Sequence, residues 1–199
     1  MLMRKSSAVV LALSLLVFAP KALAQSYEQL EPLNDAQAER LEMSSHVRVD
    51  KPVTNFGVVD ENLYRSGAPA SLAEMKALAA MGVKTVVNLQ NDKKKIAQEG
   101  AWAKAVGIKM ISIPLSGFWA PHDSDVNRIQ ALLNDKSKRP LLFHCAHGME
   151  RTGLEAALYR VFSNGWTPKA AYQEMKDYGF HTITFPMKDY LEKKTNTDL

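Results

Sequence analysis

The chain has 199 residues, 46% of them hydrophobic and 23% charged, with 10 Gly, 9 Pro and a single Cys. Length and apolar content indicate one domain with a packed core, and argue against a disordered chain, a collagen-like repeat or a disulfide-stapled miniprotein. The formal charge of +4 is concentrated at one end: taking Arg4, Lys5 and Lys21 from the 25 basic residues leaves 22 against 21 acids, which argues against nucleic acid as a partner.

Arg4 and Lys5 form a positive n-region, Ala8 to Ala19 an apolar run of 12 residues, and Ala22-Leu23-Ala24 a small-x-small cleavage site. A membrane-spanning helix needs roughly 20 apolar residues, so residues 1–24 read as a cleaved signal peptide. The mature protein is then expected to be exported, periplasmic or secreted, with no stable membrane insertion after cleavage. Residues 25–54 are polar, carry a short helical pattern near Ala36–Met43, and form a lead-in segment expected to pack weakly; the main domain is 55–199.

In that domain Asn62-Leu63-Tyr64-Arg65 reads as a strand ending at Ser66-Gly67. Ser71-Leu72-Ala73-Glu74 is a capping box for a helix that ends near Gly82. Val83–Leu89, β-branched and apolar, predicts a buried strand. A helix over Lys95–Ala105 stops at Gly107, and Ile108–Ile113 is another strand. His122 or Asp123 caps a helix carrying Val126, Ile129, Leu132 and Leu133, and Pro140–Phe143 is a short strand. Arg151–Phe162 is helical, and Thr167-Pro168 opens a last helix that Gly179 stops near Tyr178. The alternation predicts a single α/β domain, a mostly parallel sheet with helices on both faces. Ligands bind such sheets where strands end and helices begin, which selects the loops Gln90–Lys95, Leu115–Asp125 and His144–Arg151.

The third loop, His144-Cys145-Ala146-His147-Gly148-Met149-Glu150-Arg151-Thr152-Gly153, joins a strand to a helix. Such a junction aims backbone amides and the positive end of the helix into a small bowl that suits a tetrahedral dianion. The same field favours the charged form of a sulfur. Arg151, six residues after Cys145, can return over the bowl and hold two phosphoryl oxygens through its fork.

These residues resemble the signature loop, His-Cys-x5-Arg-Ser/Thr-Gly, of the cysteine-dependent protein tyrosine phosphatase superfamily. The element order from Asn62 to Tyr178 is similar to its compact dual-specificity and atypical branch. Leu63-Tyr64-Arg65-Ser66-Gly67 and Val86-Val87-Asn88-Leu89 resemble bacterial exported members, and the chain is similar to tyrosine-phosphatase-like phytases. The resemblance implies a phosphatase domain over 55–199 with Cys145 as nucleophile, forming a cysteinyl-phosphate that water hydrolyses. It implies that Arg151 and the loop residues Ala146, His147, Gly148, Met149 and Glu150 bind the phosphoryl group. It implies further that Thr152 hydrogen-bonds the sulfur and that His144 orients the loop. No cofactor is expected, and no His/Asp/Cys cluster has the spacing of a metal site.

The superfamily's proton donor is an acid on a separate loop. Early in the corresponding stretch this chain has Gly117, Phe118 and Trp119, so the candidate donors are Asp123 first, then Asp125 and Glu150, or no enzyme acid at all where the leaving group is a weak base. Lys93-Lys94-Lys95 follows the strand ending at Leu89, where it can flank the bowl and favour a multiply charged substrate; Phe118 and Trp119 can wall the pocket. The expected partner is a small phosphorylated molecule, an inositol polyphosphate. The alternatives are a phosphoprotein, as for a phosphotyrosine phosphatase acting on envelope proteins, and a phosphate-binding module without turnover. The sequence leaves the oligomeric state open.

Overall fold

The computed structural model describes residues 51–181 and 185–199. The expected signal peptide and the lead-in segment up to residue 50 lie outside the described residues. At the end of that segment Val53 is buried and the Thr54 carbonyl accepts the Gly67 amide at 2.8 Å, so its last residues pack firmly.

The strands are β1 (Gly57–Asp60), β2 (Leu63–Ser66), β3 (Thr85–Asn88), β4 (Lys109–Ser112) and β5 (Leu141–His144). They form one five-stranded sheet in the order β1-β2-β5-β3-β4, in which β1 runs antiparallel to β2 and every other pair is parallel. β1 is an unexpected strand, paired with β2 through a tight turn in which Asn62 takes φ 55°. The helices are α1 (Leu72–Ala80), α2 (Lys93–Val106), α3 (Asp123–Asn134), α4 (Glu150–Phe162), α5 (Pro168–Asp177) and α6 (Phe185–Thr195).

The two-residue period of a strand separates the faces. Val86 and Leu142 meet Met75 and Leu78 of α1 and Ala103 of α2. Val87, Leu141 and Phe143 point the other way, onto Ile129 and Leu133 of α3 and Ala156 and Tyr159 of α4. The back of α4, through Leu154, Ala157 and Leu158, buries a further layer from α5 and α6 that includes Met175, Tyr190 and Leu191. The expected architecture therefore holds, with helices on both faces and α6 added.

Local signals act largely as read. The Ser71 hydroxyl accepts the Glu74 amide at 3.2 Å, but Glu74 returns to the Ala70 amide at 2.8 Å, one residue before the cap. Gly107 ends α2 with φ 78°, a conformation that disfavours a Cβ. α2 begins two residues earlier than expected because Asp92 caps it, accepting from the Lys94 and Lys95 amides. The three lysines thus occupy a helical first turn rather than a loop.

Glu155 on α4 is fully buried, its Oε2 accepting from Gln130 Nε2 at 2.7 Å while Oε1 has no hydrogen-bond partner among the described residues. Burial pushes its carboxyl up to about 8, so the folded protein holds it neutral where the unfolded chain ionises it. The native state then binds the extra proton between about 4.5 and 8, and stability falls as pH rises across that window. The slope reaches at most about 1.4 kcal/mol per pH unit. Glu155→Gln should flatten it and raise the melting temperature at pH 8 while leaving stability at pH 4 nearly unchanged; thermal melts at the two pH values check this.

Candidate active site

β5 delivers Cys145 to the end of the sheet, on the same face as Leu141 and Phe143. The loop that follows packs on β2: Gly148 has φ 76°, and a Cβ there would lie 2.6 Å from the Gly67 nitrogen and 2.7 Å from the Ser66 oxygen. Only glycine fits.

Four successive carbonyls of this loop are tied outward. The Cys145 oxygen accepts from His144 Nδ1 at 3.1 Å, Ala146 from the Ala68 amide at 3.1 Å, His147 from Asn55 Nδ2 at 3.2 Å, and Gly148 from Arg65 Nη2 at 3.0 Å. In a planar trans peptide the N–H points opposite to the C=O. The amides of Ala146, His147, Gly148 and Met149 therefore face the inside of the loop. Gly148 in the left-handed region followed by Met149 near αR is also the backbone of an anion nest, and α4 starts at Glu150 with its free amide end toward the same point.

Arg151, on the first turn of α4, is half-buried and crosses to the ends of β3 and β4. Its Nη1 donates to Leu89 O at 3.2 Å, Leu115 O at 3.2 Å and Asn91 Oδ1 at 3.4 Å. Nε and Nη2 have no partner among the described residues, so one edge of the fork is anchored and the other is available for two oxygens of an anion. Gly117 lies alongside, 3.9 Å from the guanidinium if a Cβ is added.

Behind the loop, fully buried His144 sets its Nε2 2.7 Å from Glu99 Oε1. A carbonyl only accepts, so Nδ1 carries the hydrogen it gives to Cys145 O, and Nε2 shares a second hydrogen with Glu99. Glu99 is braced in turn by Asn88 Nδ2 at 2.8 Å and Gln90 Nε2 at 3.2 Å. His144 thus holds the loop from behind.

Cys145 is 1% exposed and shares the apolar cluster of its face. Burial alone would suit an inert thiol. A guanidinium, Arg65, is buried on the same face, level with Phe143 in the sheet register, which a merely apolar pocket would not require.

The expected contact between Thr152 and the sulfur is absent. The Thr152 hydroxyl is fully buried and has no hydrogen-bond partner among the described residues, sulfur included. An unsatisfied buried hydroxyl costs about 1–3 kcal/mol. Thr152→Val, of nearly equal shape, should therefore raise stability by up to about 1 kcal/mol. If the hydroxyl meets the leaving sulfur, the same variant should slow the second chemical step about tenfold, read as an enlarged pre-steady-state burst.

Asp123 is held in an ion pair and a hydrogen bond. At the first position of α3, its Oδ1 accepts from Tyr190 Oη at 2.8 Å and its Oδ2 lies 2.9 Å from Lys194 Nζ. Lys194 and Tyr190, both on α6, hold its carboxyl below the usual carboxylate range, which suits a fixed anion. Glu150 is paired with His181 Nδ1 at 2.7 Å at the rim. Lys93, Lys94 and Lys95 are exposed, two residues beyond the Asn91 that Arg151 touches. Phe118 and Trp119, 79% and 73% exposed, stand on the loop as free aromatic faces, their amides held by Ser116 Oγ. Asn55, which holds one of the carbonyls, emerges only from the fold, whereas Arg65, which the sequence already places within reach of the site, holds another.

The family model described as a DSP-PTPase phosphatase fused to NAD+ kinase matches residues 49–192. The chain belongs to this DSP-PTPase phosphatase family. It is 30% identical over 149 residues to the dual specificity protein phosphatase TpbA of Pseudomonas aeruginosa, a match covering 75% of this chain and 66% of that protein. It is 26% identical over 129 residues to the inositol diphosphatase DSP5 of Arabidopsis thaliana, covering 62% and 61%. The chain thus spans about two thirds or less of these relatives' own length. The crystal structure of TpbA superposes with a TM-score of 0.60 at 29% identity, over 70% of this chain and 84% of that one. The core catalytic domain of the PP-IP phosphatase SIW14 from S. cerevisiae shares the fold, with a TM-score of 0.59 at 20% identity over 73% and 94%.

Proposed function

We propose that the protein is an exported phosphomonoester hydrolase that transfers a phosphoryl group to Cys145 and then to water, and that its substrates are inositol polyphosphates. The observation that carries the phosphatase reading is the loop whose four carbonyls are turned out, leaving its amides and the free edge of Arg151 to converge on one anion.

In this reading the sulfur attacks phosphorus in line, a P–S bond forms, and the P–O bond to the leaving group breaks with its electron pair on oxygen. The amides and Arg151 neutralise the equatorial oxygens as charge builds in the transition state. Water then attacks the same phosphorus, the P–S bond breaks with its electron pair on sulfur, inorganic phosphate leaves, and the Thr152 hydroxyl, without a hydrogen-bond partner among the described residues, supports the departing sulfur.

The substrate class follows from proton supply and charge. Asp123 is tied down as an anion, and aromatic side chains stand where an acid is expected. A leaving oxygen that is a weak base, or that takes its proton from a neighbouring phosphate, needs no donor from the enzyme. Lys93, Lys94 and Lys95 crowd the positive end of α2, an arrangement unfavourable for the helix. An anion with several phosphates offsets that repulsion. The inositol diphosphatase relative supports the same reading.

A phosphotyrosine substrate is the second reading, favoured by the exposed Phe118 and Trp119, which can stack on a phenyl ring, and by the likeness to TpbA, crystallised in complex with pTyr. Phosphate release from phytate, lower and pyrophosphorylated inositol phosphates, phosphotyrosine peptides and p-nitrophenyl phosphate, measured side by side, tests both. Inositol substrates should lead in kcat/KM, and Lys93→Ala/Lys94→Ala should weaken them selectively. A lead for phosphotyrosine peptides that survives loss of the lysines contradicts the inositol assignment.

A further inference from the structure

We propose that Arg65 is a positioning residue for the nucleophile, a buried cation on the strand beside Cys145 that both ties down the loop and favours the charged sulfur. This rests on Cys145 being the nucleophile.

Sheet register places it there. Arg65 of β2 pairs with Phe143 of β5, so the two side chains share a face, and Cys145 is the next residue of the β5 segment on that face. Its neighbours on the face, Leu63 and Phe143, are fully buried and apolar. The position calls for an apolar side chain and holds an arginine that is 0% exposed, a costly choice for a merely structural residue.

The charge is incompletely matched. Arg65 Nη2 donates to Gly148 O, but Nε and Nη1 have no hydrogen-bond partner among the described residues. The guanidinium lies over the Tyr178 ring, 3.7 Å from its centroid, and Nη1 is 3.8 Å from Glu174 Oε2. Glu174 is engaged more closely by Arg160, at 2.8 Å from Nη2. Among the described residues two guanidinium groups from β2 and α4 share one carboxylate from α5. Burial keeps the Tyr178 hydroxyl protonated, so it adds no anion. Burial works against the Arg65 cation, and Glu174 works for it; a thiolate at Cys145, on the same face of the sheet, is the further balancing charge the geometry points to. The other charged groups around the sulfur are Arg151 on α4, directed to the ends of β3 and β4, and the His144–Glu99 pair joining β5 to α2; Glu150 is held at the rim by His181.

Because Cys145 is the chain's single cysteine, iodoacetamide reads its charge state without substrate. The experiment is the pH dependence of alkylation in the wild type, Arg65→Met, Arg65→Lys and Glu174→Gln, with kcat/KM for p-nitrophenyl phosphate over the same range. Arg65→Met should raise the alkylation midpoint by about one pH unit, a roughly tenfold loss of thiolate on the acid side. Arg65→Lys should keep the midpoint within a few tenths of the wild type, and Glu174→Gln should lower it, a direction that loosened packing does not produce. An unchanged midpoint in folded Arg65→Met, or an unchanged or raised one in Glu174→Gln, overturns the proposal. Loss of phosphatase activity in the wild type itself, with these shifts intact, would instead overturn the functional reading and leave the electrostatic role standing.

Discussion

A Cys145→Ser protein should bind inorganic phosphate about as well as the wild type and turn over less than about a thousandth as fast, because the binding groups are amides and a guanidinium that the substitution does not touch. The loop's shape is set by Gly148 and by four outward carbonyl contacts, from His144, Ala68, Asn55 and Arg65, none of which involves the Cys145 side chain. Serine fits the same buried space, but its hydroxyl is protonated at neutral pH and is a poor nucleophile without a base. Steady-state assays with p-nitrophenyl phosphate and a phosphate-binding titration separate the two effects. More than a tenth of the wild-type rate in the serine variant would refute the nucleophile assignment.

Arg151→Lys should lower kcat several hundred-fold, about 3–4 kcal/mol of transition-state stabilisation, with a much smaller change in KM. Arg151 divides its work between two edges: Nη1 is anchored on Leu89 O, Leu115 O and Asn91 Oδ1, while Nε and Nη2 form the free fork. A lysine has one nitrogen at that distance. It can take the anchor or approach the anion, and it cannot grip two oxygens in a plane. The loss therefore falls where equatorial oxygens spread and gain charge, in the transition state. A raised KM with kcat unchanged would place Arg151 in ground-state binding alone.

The parts of the site that were legible in the sequence are those carried by one contiguous segment. His144 to Gly153 spans the end of a strand, a glycine that must turn and the start of a helix, so spacing alone brings Cys145, the loop amides and Arg151 together. What holds that segment comes from far along the chain. Arg65 reaches Gly148 across 83 residues and Asn55 reaches His147 across 92, contacts fixed by the order of strands rather than by any local pattern. A lone arginine in a four-residue strand carries no sign of being buried; only the β2–β5 register shows that it shares a face with Phe143.

The partners of Asp123 were hidden from the sequence for a related reason. Tyr190 and Lys194 lie on α6, whose Phe-Pro-Met start and mixed periodicity hide it from a pattern reading. β1 was missed because Gly57–Asp60 is short and its pairing depends on a turn at Asn62. The lysines at 93–95 were placed in a loop because a run of like charge reads as solvated chain; the Asp92 cap was the signal that a helix begins there.

The most direct measurement is the identity of the phosphorylated residue during turnover. Enzyme mixed with excess substrate and quenched in acid within the first turnover should carry one phosphoryl group on the peptide containing Cys145. The label should survive acid, disappear on treatment with a thiol-phosphate-cleaving reagent, and be absent from the Cys145→Ser protein. Sustained phosphate release with no labelled Cys145 peptide, or with the label on another side chain, contradicts the account.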